Sequence, residues 1–293
     1  MFIWRLLLIM MASSSSSGRS LVAMITGTSK GIGLGLTKQL LERPLAAGRS
    51  GPTRVVACCR TGVSAELQAL QCKYGHDRLV VLQLDVRDMS SHISAKKHLL
   101  EFGIGELDII VCNAGISNRN HPIDPFFECT EEDMMDTFST NAVGTLFTLQ
   151  QFAPLCIASG RREKLCCVLS SRLASIEQNI GGYTSYRTSK ASTNMIAKTF
   201  SEDASVRDAG VKTLAIHPGW VKTDMGDRDG TRGAPLTVDD SAAGIFDLID
   251  IALSLQVQGA ASHDDKFKNF VDDFLRSDKN ISFVSYNGEL LPW

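Results

Sequence analysis

The sequence predicts a single α/β domain built on a doubly wound parallel sheet. Short apolar segments typical of buried parallel strands recur along the chain, and segments with helical periodicity separate them. A glycine-rich turn follows the first apolar segment directly. Because alternating strands and helices require crossover connections, we expect helices on both faces of the sheet and a binding site beyond the carboxyl ends of its strands.

The strands and helices can be placed in chain order from these patterns. We expect strands at residues 21–25, 54–59, 78–84, 107–112, 164–169, 211–216 and 281–285. We expect helices at residues 36–41, 64–73, 90–102, 131–157, about 186–204 and 242–253. The charged segment at about 257–280 has apolar residues at helical spacing. It predicts an inserted amphipathic helix that covers the core, contacts another subunit or binds a regulatory partner.

Composition limits the classes of function. The 293-residue chain is 44% hydrophobic and 21% charged, which is typical of a globular domain with a large core. Its net charge of -2 gives no electrostatic reason to expect nucleic acid. No cysteine pair has the spacing of a metal knuckle or redox dithiol, so we expect no metal site. The neighbours Cys58-Cys59 and Cys166-Cys167 should point to opposite faces of the sheet as buried thiols, which favours a reducing, cytoplasmic compartment.

Residues 1–20 are expected to form a leader before the domain at 21–293. The run from Leu6 to Met11 is apolar but too short to span a bilayer, so we do not expect it to cross a membrane, and attachment to a membrane through this run stays an alternative. With the small residues from Ala12 to Gly18 behind it, this run resembles the core of a signal peptide. The alternatives are a disordered leader and an upstream start before a natural start at Met11, and the cysteine usage favours these over organelle or secretory targeting.

A glycine-rich turn links the first predicted strand to the first predicted helix. Its glycines Gly27, Gly31 and Gly33 have the arrangement Gly-x3-Gly-x-Gly. Such a turn lets the backbone approach a pyrophosphate, whose charge then lies at the helix N-terminus. The residue after the second strand, Arg60, should face the adenosine ribose, where a base favours a 2'-phosphate. With Lys30 nearby we expect NADP(H), although each cation alone is also typical of a solvated surface.

Tyr186 and Lys190 are the candidate proton-transfer pair. They are four residues apart, so on a helix their side chains lie on one face. A neighbouring ammonium favours the phenolate, and we therefore expect Lys190 to bring the pKa of Tyr186 toward the neutral range. Ser171, at the end of an apolar strand, could hydrogen-bond the same substrate oxygen. A tyrosine and a lysine at this spacing also occur on ordinary exposed helix faces, so the pair gains weight only beside a hydride donor.

Two motifs in this order resemble those of the short-chain dehydrogenase/reductase family. They are Thr26-Gly27-x3-Gly31-x-Gly33 and Tyr186-x3-Lys190. A narrower resemblance, to the C-factor and sniffer-type carbonyl reductases, rests on the segments 170–175, 217–225 and 286–293. The likeness runs from about residue 21 to the end and implies a Rossmann fold with an NADP(H) site.

The resemblance also implies roles for single residues. Asn141 would hold a water that links Lys190 to solvent, Asp85 would contact the adenine, and Thr223 the nicotinamide carboxamide. The family usually has Asn-Asn-Ala-Gly where this chain has Cys112-Asn113-Ala114-Gly115, so only the last three residues are carried over. The full set of expected cofactor-binding residues is Gly27, Ser29, Lys30, Gly31, Ile32, Gly33, Arg60, Asp85, Val86, Asn113, Ala114, Gly115, Tyr186, Lys190, Pro218, Gly219, Val221 and Thr223.

The interval between Ser171 and Tyr186 is longer than is usual in the family, which leaves a rival arrangement to consider. Ser170 and Tyr183 have a more usual interval, and Arg187 follows Tyr183 by four residues. Arginine's permanent charge makes it a poor member of a proton relay, whereas Lys190 can pass a proton and bind ribose hydroxyls. We therefore expect Ser171, Tyr186, Lys190 and Asn141 to be the catalytic residues.

These observations predict an NADPH-dependent reductase that converts an aldehyde, ketone or quinone into an alcohol, with Tyr186 as general acid. The alternatives are an alcohol dehydrogenase that works oxidatively and an NADP(H)-binding signalling protein with little turnover. The expected partner is a small carbonyl substrate. A homodimer could form through the long helices, unless the charged segment at 257–280 blocks that face.

Overall fold

A computed structural model describes residues 19–45, 52–118, 123–227, 230–258, 265–276 and 279–293. The predicted leader lies outside the described residues up to residue 18, as do parts of the charged segment at 257–280. No helix within the described ranges is long and apolar enough to cross a membrane.

The described residues form a parallel sheet with the strand order β3-β2-β1-β4-β5-β6-β7. The strands are β1 Val22–Thr26, β2 Arg54–Cys59, β3 Leu79–Gln83, β4 Ile109–Cys112, β5 Leu165–Leu169, β6 Lys212–His217 and β7 Ile281–Ser285. Each lies where the sequence predicts a strand. The order reverses between β1 and β4, and the crevice at such a point is where doubly wound sheets bind ligands. The predicted doubly wound, Rossmann-like sheet is confirmed.

Helices cover both faces of this sheet. They are α1 Gly31–Glu42, α2 Ala65–Tyr74, α3 Met89–Glu101, α4 Glu131–Phe138, α5 Gly144–Ile157, α6 Thr184–Glu202, α7 Ala204–Asp208, α8 Val238–Gln258 and α9 Lys268–Phe274. Alternate residues along the strands point into two different apolar cores. Ile25 packs with Leu36 of α1 and Phe246 of α8, whereas Met24 packs in the other core with Phe152 of α5. Cys58 and Cys59 also lie in opposite cores, as their adjacency predicts.

The structure refines three of the predicted helices. The stretch predicted at 131–157 is helical but contains a π-helical segment, Ser139–Val143, between α4 and α5. The helix predicted at 186–204 begins earlier, at Thr184, and ends at Glu202, because Asp203 caps the separate short helix α7. Within the charged segment, Phe267, Phe270 and the rest of α9's apolar side join the core beside α8.

Candidate active site

The glycine turn is closed tightly against the ends of β1 and β4. Gly27 has a φ of 71°, and a Cβ on Gly33 would lie 2.3 Å from the carbonyl oxygen of Gly27. Only glycine fits at either place. Lys30 precedes α1 without capping it, and the first turn of α1 carries no acidic residue. The N–H groups of that turn therefore remain available to an anion.

Asn113 holds the glycine turn in place. Its side-chain Nδ2 donates to the carbonyl oxygens of Thr26 at 2.8 Å and Gly27 at 3.0 Å. The hydroxyl oxygen of Thr26 in turn accepts from the N–H groups of Asn113 and Ala114, both at 3.1 Å. Asn113 thus acts on the cofactor crevice by fixing its walls. Thr26 was not among the predicted residues, since a hydroxyl at the end of a strand is a weak signal.

Ser171, Tyr186 and Lys190 meet at the carboxyl end of β5. The buried Ser171 hydroxyl lies next to the hydroxyl of Tyr186, which belongs to the first turn of α6. Lys190 follows one turn later, with its Nζ 5.9 Å from the centre of the Tyr186 ring. The Lys190 ammonium donates to the carbonyl oxygen of Leu169, the last residue of β5, at 2.6 Å. The structure therefore brings the three predicted side chains together.

The protonation of this group differs from the sequence prediction. Burial raises the pKa of Tyr186 to about 12, and the neighbouring Ser171 hydroxyl only partly opposes this. Burial lowers the pKa of Lys190 to about 8, with a small opposing effect from Cys112. The expectation that Lys190 moves the pKa of Tyr186 toward neutrality is wrong for this arrangement, because burial of the phenol raises that pKa and the Lys190 ammonium is bonded to the carbonyl of Leu169. Tyr186 is therefore a protonated phenol at neutral pH and has a proton to donate, but the raised pKa makes it a weaker acid than an ordinary tyrosine.

Asn141 lies within the π-helical segment, next to this group. Its Oδ1 accepts from the N–H of Ile116 at 2.8 Å, and its Nδ2 donates to the Ile116 carbonyl at 2.8 Å and to the Ser189 hydroxyl at 2.9 Å. A Cβ on Gly115 would lie 3.0 Å from Asn141 Oδ1 and 3.4 Å from Lys190 Nζ. Asn141 and Lys190 therefore face each other across a glycine. The π-helical segment, common at functional sites, accounts for an asparagine inside a helix.

The rival arrangement is not assembled. The Ser170 hydroxyl donates to Oδ1 of Asn194 at 2.5 Å. The Arg187 guanidinium donates to the carbonyl oxygens of Gly182 at 2.9 Å and Leu173 at 3.4 Å, where it fixes a loop. Neither group is directed to Tyr183, so the geometry favours Ser171 and Tyr186.

The residues expected at the adenosine end lie around the ends of β2 and β3 and in the glycine turn. Arg60 is exposed directly after β2, in the predicted place. Lys30 instead forms an exposed ion pair with Asp224, which sequence reasoning missed because the two residues are far apart in the chain. Asp85 uses Oδ1 to accept from the N–H of Arg87 at 3.0 Å, so it caps a turn. Val86 packs on α5, where a Cβ on Gly144 would lie 2.8 Å from it.

The loop after β6 closes the crevice from the other side. The Pro218 carbonyl accepts from the Ser241 hydroxyl at 2.7 Å, and Val221 pairs with Leu236. Gly219 has a φ of 88°, with no space for a side chain beside Leu236. Thr223 lies over Gly31, because a Cβ added to Gly31 would be 3.4 Å from the methyl group of Thr223. The remaining predicted residues of the turn, Ser29 and Ile32, are partly exposed beside it.

Comparison with known proteins shows the family. The sequence model of the short chain dehydrogenases matches residues 21–232. The chain belongs to the short-chain dehydrogenase/reductase family. It is 36% identical to C-signal of Myxococcus xanthus over 147 residues, which cover 50% of this chain and 82% of that protein.

Solved structures extend the similarity over the whole fold. The carbonyl reductase Sniffer of D. melanogaster has a TM-score of 0.73 at 26% identity, covering 94% of this chain and 100% of that one. The NADPH-bound carbonyl reductase from chicken fatty liver has a TM-score of 0.73 at 28% identity, with the same coverage of 94% and 100%. This short-chain dehydrogenase is therefore an oxidoreductase that resembles the C-factor and sniffer-type carbonyl reductases.

The residues of this short-chain dehydrogenase fit a nicotinamide dinucleotide. Its glycine turn admits no side chain, the first turn of α1 is uncapped, and both lie at the point where the strand order reverses. The departure from the usual family motif, Cys112, is a buried thiol whose pKa burial raises to about 12. It is therefore a neutral neighbour of Lys190, and it leaves Asn113, Ala114 and Gly115 to shape the crevice.

Proposed function

We propose that this protein is an NADPH-dependent carbonyl reductase that converts an aldehyde, ketone or quinone into an alcohol. The observation that carries the proposal is the pair of neighbouring hydroxyls of Ser171 and Tyr186 beside the buried Lys190, at the end of the crevice that the glycine turn opens. Proton donors and an ammonium converging on one place are what a developing alkoxide requires.

Each of these residues has a chemical task. The bound nicotinamide supplies the hydride. Tyr186 is protonated at neutral pH and donates its proton to the substrate oxygen, while the Ser171 hydroxyl stabilises the negative charge that develops there. Lys190 lies within reach of the ribose side of the crevice and carries a charge that can be given up near pH 8. Asn141 connects α6 to the end of β4 and supports the supply of protons to Lys190.

The preference for NADPH rests mainly on Arg60. It is an exposed cation directly after β2, where the fold faces the adenosine ribose. Lys30 supports the preference less, because its charge is already paired with Asp224. The NADPH bound to the chicken carbonyl reductase agrees with this choice.

The substrate body is proposed to be apolar. The loop between Ser171 and Tyr186 exposes Ile176 and Ile180, which are 79% and 93% accessible, and the loop after β6 exposes Trp220. Side chains of this kind around a polar site favour aromatic or aliphatic carbonyl compounds over small hydrophilic ones.

The test is oxidation of NADPH and of NADH with a panel of quinones, aromatic aldehydes, aliphatic ketones and a small hydroxylated aldehyde. We expect turnover with NADPH, faster on the apolar members, with the alcohol as product. Turnover with NADP+ and alcohols alone would favour an oxidative dehydrogenase. Tight NADPH binding without any turnover would contradict the proposal and favour a cofactor-binding regulatory protein.

A further inference from the structure

Helix α6 carries Tyr186 in its first turn, yet it does not cap its own N-terminus. Tyr183 precedes the helix with a left-handed φ of 54° and makes no side-chain cap hydrogen bond. The first N–H groups of a helix have no acceptor within it and need one from elsewhere. In this protein the acceptors come from the loop after β4.

Asp124 supplies most of them. Its Oδ2 accepts from the N–H of Ser185 at 2.6 Å. Its backbone carbonyl accepts from the N–H of Thr184 at 3.1 Å and from the Thr184 hydroxyl at 2.9 Å. The carbonyl of the preceding Ile123 accepts from the N–H of Tyr183. A segment far away in sequence thus fixes the residues that lead directly into Tyr186.

Asp124 is buried and has an unusual backbone conformation in the position where it caps α6. Its side chain is 1% exposed, and its φ of 46° is a conformation that residues with a Cβ seldom adopt. Its charge lies at the N-terminus of α6, where the helix dipole favours an anion. Strained residues of this kind persist where the surroundings impose them, and they are concentrated at functional sites.

We infer that Asp124 is a positioning residue that sets Tyr186 for proton donation. This inference rests on the proposed reductase function. Tyr186 follows Ser185 in the capped turn, whereas Lys190 lies one turn further and is held by Leu169 of β5. Loss of the cap therefore displaces the proton donor and leaves Lys190 in place. The expected signature is slower hydride transfer with unchanged cofactor affinity.

Three variants separate this role from a general effect on stability. Asp124→Gly keeps the left-handed conformation accessible and removes the carboxylate, whereas Asp124→Asn keeps both that conformation and an acceptor oxygen. Asp203→Gly is the matched control, because Asp203 caps α7 through the N–H of Ser205 at 2.9 Å, away from the site. All three are compared with the wild type in single-turnover NADPH oxidation, NADPH titration and thermal unfolding.

We expect Asp124→Gly to slow hydride transfer about 10- to 100-fold, since small misplacements of a reacting group have effects of this size. Its dissociation constant for NADPH should not change, and Asp124→Asn should restore most of the rate. Asp203→Gly should lower stability and keep the wild-type rate. A wild-type rate in folded Asp124→Gly would overturn the inference, and so would a loss of NADPH affinity equal to the loss of rate.

Backbone hydrogen exchange in the cofactor-free protein gives a readout that needs no turnover. Exchange at residues 184–186 should accelerate in Asp124→Gly and stay near the wild-type rate in Asp124→Asn. Unchanged exchange in Asp124→Gly would overturn the inference. If the wild type reduces no carbonyl compound, the proposed function alone fails, and the exchange result still decides whether Asp124 fixes the first turn of α6.

Discussion

Two clusters of buried charge lie at opposite edges of the same sheet, and they are built differently. At the amino edge, Asp108 is completely buried before β4 and accepts from both terminal nitrogens of Arg19 at 2.6 Å. It also accepts from the Ser159 hydroxyl at 2.8 Å and from the N–H of Val22 at 2.9 Å. Burial opposes the charge of Arg19, but its contacts with Asp108 and Glu106 leave the pKa of Arg19 raised. Here the carboxylates of Asp108 and Glu106 compensate the partly buried charge of Arg19.

At the carboxyl edge, the buried charge has no such partner. Lys190 is bonded to the carbonyl of Leu169, and no carboxylate in the described part of the chain pairs with it. Its pKa falls to about 8, and that of the adjacent Tyr186 rises to about 12, both through burial. A buried charge that is paired with opposite charges stabilises the fold. A buried charge without an opposite charge can have a pKa near neutral pH, which makes the group suited to proton transfer.

The largest contrast is expected from Lys190→Met. NADPH-dependent turnover should fall about 10²- to 10⁴-fold, the range of a lost proton-transfer group. The free energy of unfolding should stay constant or rise, because an apolar side chain replaces a buried charge that lacks an opposite charge. Turnover assays and urea unfolding measure the two effects. Lys198→Met, which removes an exposed lysine from the same helix, should change neither turnover nor stability. A large loss of stability in Lys190→Met would contradict the proposed difference between the two edges.

At the amino edge, Asp108→Ala should lower the stability of the fold and leave the turnover of the folded enzyme unchanged. It leaves Arg161, whose side chain is 6% exposed, without the carboxylate 3.9 Å away, and removes one of the two carboxylates that pair with Arg19. Removing one partner of a buried ion pair typically costs about 3–5 kcal/mol of the free energy of unfolding. Urea unfolding measures this loss, and turnover per folded molecule should match the wild type. Asp108→Asn, which keeps acceptor oxygen, serves if the alanine variant does not fold, and should lose less stability. Reduced turnover in folded enzyme would show that the edges are not separate.

The dependence on pH should distinguish the two clusters further. Lys190 is charged below about pH 8, so NADPH affinity and turnover should fall as pH rises through that value. Tyr186 keeps its proton over this range because its pKa is about 12. The pKa of Lys190 in the folded protein lies below its ordinary value of 10.5. Between pH 8 and 10.5 the unfolded chain therefore binds more protons at Lys190 than the folded protein does. As pH rises through this range, the destabilising effect of Lys190 on the fold becomes smaller. Lys190→Arg should lose both dependences, as measured by NADPH titration and unfolding at each pH. An unchanged profile in that variant would assign the pH dependence to another group.

The smallest effects are expected where charges are exposed. Arg60→Ala should weaken NADPH binding by about 1.5–3 kcal/mol, the value of a hydrogen bond to a charged group, and leave NADH binding unchanged. Lys30→Ala should change NADPH binding by less, because Lys30 and Asp224 are an exposed pair, and such pairs are worth about 0–1 kcal/mol. Titration with both cofactors measures this. A larger effect from Lys30 than from Arg60 would move the 2'-phosphate site into the glycine turn.

The strands and the site motifs could be read from the sequence because their signals are local. The apolar run at 211–216 and the glycines between β1 and α1 each carry their own pattern. The Ser171 and Tyr186 pair could be chosen over Ser170 and Tyr183 because lysine and arginine differ in chemistry.

Other features depend on contacts between distant residues, and the sequence could not predict them. Nothing near Asp124 shows that its carboxylate caps α6, and nothing near Lys30 shows its pairing with Asp224. The high pKa of Tyr186 follows from its burial by surrounding residues. The four-residue spacing between Tyr186 and Lys190 gives no information about that burial. The π-helical segment around Asn141 had only one signal, a polar residue at an unfavourable helix position.

NADPH-dependent reduction by Tyr186→Phe and by Tyr183→Phe, at saturating NADPH, tests directly which tyrosine donates the proton. Both variants should still bind NADPH. Tyr186→Phe should lose about 10²- to 10⁴-fold in turnover, since it removes the proton donor, and Tyr183→Phe should retain turnover. Wild-type turnover in Tyr186→Phe, or a comparable loss in Tyr183→Phe, would contradict the assignment of the proton donor at the carboxyl edge.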